Sequence, residues 1–105
     1  MRRSIWILIL ILLSGSVPVG AQQAGRESQI EGALLAAPES LREGAAVLGF
    51  GGTPRADDVL TLLRAGTNEL VCLADDPDRE DFHVACYHSS LDPFMRLGRL
   101  LRADG

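Results

Sequence analysis

The sequence predicts a small α+β domain: a short antiparallel sheet, tied by a disulfide, packed with an N-terminal and a C-terminal helix. Three observations carry this. Ile30, Ala33, Leu34 and Ala37 recur at helical spacing, and Phe94, Leu97 and Leu101 do so again near the C-terminus. Two short apolar runs, Leu60–Arg64 and Glu69–Leu73, flank the turn-forming stretch Ala65-Gly66-Thr67-Asn68. Cys72 and Cys86 are the two cysteines of the chain, and each lies in a strand-like run.

Before the domain comes an export segment. Arg2 and Arg3 precede the apolar run Ile5–Leu13, followed by Ser14-Gly15-Ser16, Pro18 and the small-residue site Val19-Gly20-Ala21. That is the three-part layout of a secretory signal peptide over residues 1–21. The uninterrupted apolar run is too short to span a bilayer, which takes about 20 helical residues. Membrane contact is therefore expected only through the signal segment before cleavage. Gln22–Arg26 is polar and reads as a disordered tether. Residues 27–105 then read as one small domain, for which a cross-link or partner is welcome because little apolar surface can be buried.

The first helix is expected over Glu27–Ala37, and Pro38 either ends it or opens a second short turn with Leu41 as its apolar contact and Gly44 as its stop. Ala45–Phe50 is a candidate strand, and Gly49–Asp58 a loop rich in Gly, Pro and charge. A four-residue turn would place Thr61 opposite Cys72 and Leu62 opposite Val71 in a hairpin, with a short helix from Asp57 or Asp58 to Gly66 as the competing reading. Phe82, Val84 and Cys86 alternate with His83, Ala85 and Tyr87 as a third strand. The last helix opens with Asp92 as N-cap and Pro93 at its first position. Its stripe of Phe94, Leu97 and Leu101, widened by Leu100, should face the core, leaving Arg96, Arg99 and Arg102 solvated.

Composition narrows the partners. The net charge is −4 and every basic residue is Arg. An acidic chain lacks the basic patch with which nucleic-acid recognition begins, and it is a poor match for anionic membranes. The expected partner is an unidentified envelope or extracellular one.

Cys72 and Cys86, in an exported small domain, read as a disulfide. A closed loop of about 15 residues is worth roughly 3 kcal/mol on chain-entropy arguments. The same cysteines with His83 and His88 are zinc-type ligands, but the spacing is wrong for a structural site. Cys86 as a nucleophile with His83 or His88 as base can also be written, although nothing marks the thiolate as activated. Asp75, Asp76, Asp78, Glu80 and Asp81 are oxygen donors of the type calcium uses, yet Asp81 stands where a calcium loop needs Gly and Tyr87 where it needs Glu. These carboxylates read as a solvated turn, with Asp76, Asp78, Glu80, His83 and His88 kept as weak metal candidates. Gly49-Phe50-Gly51-Gly52 lacks the Gly-Lys-Ser/Thr of a phosphate loop. No catalytic constellation is complete and no cofactor is expected.

The runs Gly66-Thr67-Asn68-Glu69-Leu70-Val71-Cys72-Leu73-Ala74-Asp75-Asp76-Pro77 and Phe82-His83-Val84-Ala85-Cys86-Tyr87-His88-Ser89-Ser90-Leu91-Asp92-Pro93-Phe94-Met95 resemble a family of exported bacterial proteins of unknown function. Ala36-Ala37-Pro38-Glu39-Ser40 followed by Gly44-Ala45-Ala46-Val47 is similar to it as well. The resemblance covers most of the chain after the signal, and the two cysteine-containing runs are its specific part. It implies no catalytic residue. It implies that members are longer, so that residues 27–105 are the front part of a longer domain. The expected function is a non-catalytic periplasmic or secreted binding protein. The alternative is a metal-binding protein or enzyme using His83, His88 and the Asp75–Asp81 region.

Overall fold

The computed structural model describes residues 19–104, with side chains from residue 25 onward. The signal expected over residues 1–21 lies outside the described residues up to position 18. Helix α1 (Val19–Leu34) takes in Gln22–Arg26, the stretch read from the sequence as a tether. A one-turn 3₁₀ helix at Glu39–Leu41 follows Pro38, the second of the two readings its sequence allows. Four short strands come next: β1 (Ala46–Gly49), β2 (Thr61–Arg64), β3 (Leu70–Leu73) and β4 (Ala85–His88). A second 3₁₀ turn at Ser89–Leu91 leads into helix α2 (Asp92–Asp104).

The fold is α+β, as expected, and the sheet order corrects the expected hairpin. The order is β2-β1-β3-β4. β2 and β3 do not pair, because β1 lies between them, antiparallel to β2 and parallel to β3. The sheet is therefore mixed rather than wholly antiparallel. Thr61 faces Gly49 and Cys72 faces Val47 across their ladders, not each other. The physical reason is burial. β1 has three consecutive buried residues, Val47, Leu48 and Gly49, and only a central position covers both faces of such a run.

Gly66 makes the insertion possible. A Cβ there would sit 2.5 Å from the Ala46 amide nitrogen, so only glycine lets the β2–β3 connection cross the start of β1. The Gly44 carbonyl then accepts from the Thr67 and Asn68 amides at 2.7 and 3.0 Å. Asn68 donates to the Leu41 carbonyl and accepts from the Leu70 amide, both at 2.9 Å. The Gly66-Thr67-Asn68 segment is thus a clamp on the 3₁₀ turn rather than a hairpin loop.

Successive strand residues point to opposite faces, and the two faces have different cores. Val47, Leu63 and Cys72 pack with Ala33 and Ala37 beneath α1, with Ile30, Leu34 and Cys86 beside them. Leu48, Leu60, Val71 and Tyr87 form the other core, joined by Met95 of α2. Gln29 fixes α1 to the end of β1: its amide accepts from the Phe50 nitrogen and donates to the Phe50 carbonyl, both at 2.9 Å. That exchange satisfies both backbone groups just beyond the strand.

β4 starts at Ala85, so Phe82–Val84 are not strand, although the sequence alternates through them. The β3–β4 register places Cys72 directly opposite Cys86, and the two form a disulfide. Among the described residues no cysteine is free, and no helix is long and apolar enough to cross a membrane. Replacing both cysteines by serine is expected to lower unfolding stability by about 3 kcal/mol, read by urea denaturation. In the unaltered protein alkylation should require prior reduction, and an intact mass showing two free thiols in the folded state would contradict the pairing.

Candidate functional site

The chemistry-bearing residues gather where α2 meets the sheet, and they are not the ones the sequence singled out. The Arg99 guanidinium donates to both oxygens of Asp58, from Nε at 2.9 Å and from Nη2 at 2.8 Å. Arg99 Nη1 reaches the Tyr87 hydroxyl at 3.3 Å, and that hydroxyl donates to Asp92 at 2.6 Å. Arg55 bridges Asp58 and Asp92, the latter at 2.6 Å, and Arg96 donates to Asp92 at 2.7 Å. Three guanidiniums and two carboxylates thus surround one tyrosine on β4. Asp92 and Arg99 are only 8% and 7% exposed, so most of this lies out of water.

Each part is placed by local structure. Asp57, at φ 55°, turns the chain into Asp58, whose carboxylate also accepts from the Leu60 amide at 3.1 Å. Asp92, Arg96 and Arg99 stand one helical turn apart along one side of α2. Asp92 is not the N-cap expected from sequence. It is already helical, at φ −58° and ψ −43°, and its carboxylate serves Tyr87 and the arginines. The cap of the preceding turn is His88, whose ring accepts from the Ser90 amide at 3.1 Å.

The ionisation states follow from these contacts. Burial acts to raise the Asp92 pKa, but hydrogen bonds from Tyr87, Arg55 and Arg96 hold it well below the ordinary carboxylate value. Asp58 is likewise lowered, burial being outweighed by Arg99, the Leu60 amide and Arg55. Burial and the bond to Asp92 push the Tyr87 hydroxyl up, so it stays a donor. Burial works against the Arg99 charge, and Asp58 and Tyr87 more than restore it.

The consequence is a helix turned the opposite way to expectation. The sequence placed Phe94, Leu97 and Leu101 in the core and the arginines in water. Instead Arg99 is buried, and Leu91, Phe94, Leu97 and Leu101 are 49%, 74%, 54% and 62% exposed. The hydrophobic stripe of α2 forms an outward face. Arg102 alone of the three arginines is as solvated as expected.

The residues selected from sequence fall elsewhere. His88 on β4 stands between Glu69 and Ser90, with Nε2 2.7 Å from Glu69 Oε2 and Nδ1 2.8 Å from Ser90 Oγ. It borders a shallow groove of about 340 Å³ with Leu41, Asn68, Glu69 and Leu70. Glu69 and Ser90 were not singled out by sequence, because nothing in their spacing signals the β3–β4 register that joins them. Ser, His and Glu in a row are the components of a hydrolase relay. Here all three are exposed, so water screens the pair that would activate the ring. The Ser90 amide also competes for the nitrogen facing the hydroxyl. The arrangement is a helix-cap network.

The acidic loop is occupied with itself. Asp75 accepts from the His83 amide at 2.8 Å, Asp76 from the Asp78 amide at 2.9 Å, and Arg79 pairs with Asp81 at 3.6 Å. Asp78, Glu80 and His83 are exposed. Among the described residues no three His, Cys, Asp or Glu side chains gather as a metal-binding group. Cys72 and Cys86 are joined to each other, so neither is a nucleophile or a metal ligand in this state.

Comparison of the chain with family models, with curated proteins and with solved structures gives no match.

Removing Arg99 takes both of its hydrogen bonds from the Asp58 carboxylate, which has no exposed side-chain surface and keeps only Arg55 as a cationic partner. Arg99→Met is therefore expected to cost about 3 kcal/mol in urea unfolding, as for other broken buried pairs. The lowered Asp58 and Asp92 carboxylates also set a pH dependence. Their contribution is fully present above the ordinary value of 3.8 and is lost as pH falls below it towards their folded values. Stability should decline steeply below about pH 4. An Asp58→Asn/Asp92→Asn variant should start less stable and show a much shallower acid limb.

Proposed function

We propose that this chain is an exported, non-catalytic interaction module, acting in the periplasm or outside the cell, that docks a protein through the outward face of α2. The observation that carries the reading is the apolar stripe of Leu91, Phe94, Leu97 and Leu101, held outward by the buried arginine–aspartate cluster. The largest apolar patch on a monomer is typically about 300–600 Å² and is often a functional contact surface. The signal-like N-terminus supports export, and the Cys72–Cys86 disulfide fits an oxidising compartment. The resemblance of the two cysteine-containing runs to exported bacterial proteins points the same way.

The test is the native size of the exported protein. Cell fractionation followed by size exclusion should find it above its monomer mass. A Phe94→Glu/Leu101→Glu variant should run as a monomer while keeping its thermal midpoint within about 2 °C, since both positions are exposed. Monomeric behaviour of the unaltered protein in every fraction would overturn the reading.

A further inference from the structure

We propose that the occupant of the α2 face is a second copy of this chain, docked as an antiparallel pair of α2 helices about a two-fold axis. This rests on the reading of α2 as a docking face and names its partner.

The register of the stripe from Phe94 to Leu101 is self-complementary. Phe94 and Leu101 lie equally far from the midpoint between Leu97 and Gly98. A two-fold axis through that midpoint sets Phe94 against Leu101 of the second copy and Leu97 against its Gly98. Isologous pairing demands this reciprocity, in which every contact occurs twice. The spacing of three and then four residues is also that of a helix–helix seam.

Gly98 is the second observation. A glycine inside a helix costs roughly 1 kcal/mol against alanine. Among the described residues nothing requires it, since a Cβ at Gly98 would meet no atom within 4 Å. It lies beside the stripe, where the pairing places the Leu97 side chain of the second copy. The gap is unexplained in the monomer and filled in the pair.

Charge agrees with an antiparallel arrangement. Opposed helices bring the positive N-terminal end of one against the negative C-terminal end of the other. Asp104, one turn beyond Leu101, then falls at the N-terminal end of the second copy. From Phe94 to Leu101 the seam carries no charge, because Arg96 and Arg99 are engaged by Asp92 and Asp58 on the opposite side of α2, and Asp104 meets Leu91 only at its edge. A lipid surface fits less well. Helices that lie on anionic bilayers keep free Lys or Arg along their polar face, and here that face is spent inside the fold.

The area sets the strength. At the exposures given above, the four side chains present on the order of 450 Å² per copy, near 900 Å² in the pair. That is just under the roughly 1,000 Å² expected of a stable complex, so the dimer is a weak, concentration-dependent one.

Sedimentation velocity of the purified, oxidised protein, exported through its own N-terminal segment, tests this from low micromolar to near-millimolar concentration. The expected result is a monomer–dimer equilibrium. Leu97→Glu and Gly98→Leu should each weaken it at least tenfold, with the thermal midpoint of the dilute protein retained. The glycine variant decides the register: a simple hydrophobic patch would associate more strongly with the added leucine, and that result overturns the pairing. A protein monomeric throughout also overturns it. If Phe94→Glu/Leu101→Glu nevertheless reduces the native size in cell fractions, the docking reading stands and only the second copy is wrong. If that variant changes nothing in cells, both fall. Co-sedimentation of monomeric protein with phosphatidylglycerol–phosphatidylethanolamine vesicles, abolished by the same variant, would assign the face to lipid and overturn the dimer.

Discussion

The orientation of α2 depends on one buried interaction, the two-pronged bond from Arg99 to Asp58. Asp58 has no exposed side-chain surface and Arg99 almost none, so neither charge can fall back on water if the other is removed. Such a pair adds little net stability, because desolvation consumes most of the attraction. What it does add is selectivity among arrangements. Any rotation of α2 that withdraws Arg99 leaves the buried Asp58 carboxylate with Arg55 as its remaining cation. The helix is therefore fixed in azimuth more firmly than the apolar contact of Met95 would fix it.

Tyr87 connects this constraint to the rest of the fold. Its ring belongs to the core beneath α2, its hydroxyl belongs to the ion cluster, and its neighbour Cys86 is bonded to Cys72 on β3. The disulfide fixes β4 to β3, β3 pairs with the central β1, and β1 is held to α1 through the Gln29–Phe50 exchange. One tyrosine thus transmits the position of the α1 layer to the α2 layer. The loop carrying Arg55 and Asp58 closes the circuit, since Thr53 pairs with Leu62 through reciprocal backbone bonds of 2.9 and 2.8 Å.

Local features of this fold were legible in the sequence, and non-local ones were not. Pro38 and Leu41 mark their 3₁₀ turn, Ala45–Phe50 brackets β1, and the cysteine pair reads correctly because a lone pair of thiols in a small domain points to a disulfide without any knowledge of register. The β2–β3 hairpin failed because turn residues signal a reversal but not whether a third strand fills the gap. Periodicity marked α2 as amphipathic without saying which side is covered. The usual rule, apolar inward and arginine outward, holds because unpaired charge is costly to bury. It inverts when the partners of the charge wait on the sheet and on the loop before β2, and Asp58 and Tyr87 are separated from Arg99 by 41 and 12 positions. No spacing rule spans those distances.

The inversion leaves free energy unrealised. At about 25 cal/mol per Å², the exposed stripe of α2 represents on the order of 10 kcal/mol of burial not made within the monomer. That exceeds what a buried ion cluster returns on balance. A monomer selected only for its own stability would carry polar residues at Phe94, Leu97 and Leu101, at no cost to the Arg99 face. Among the described residues nothing covers these side chains or fills the space beside Gly98. The same residues are explained if burial is completed between molecules. The arginine cluster then has a role that its modest stability does not suggest: it holds the apolar face of α2 open for assembly.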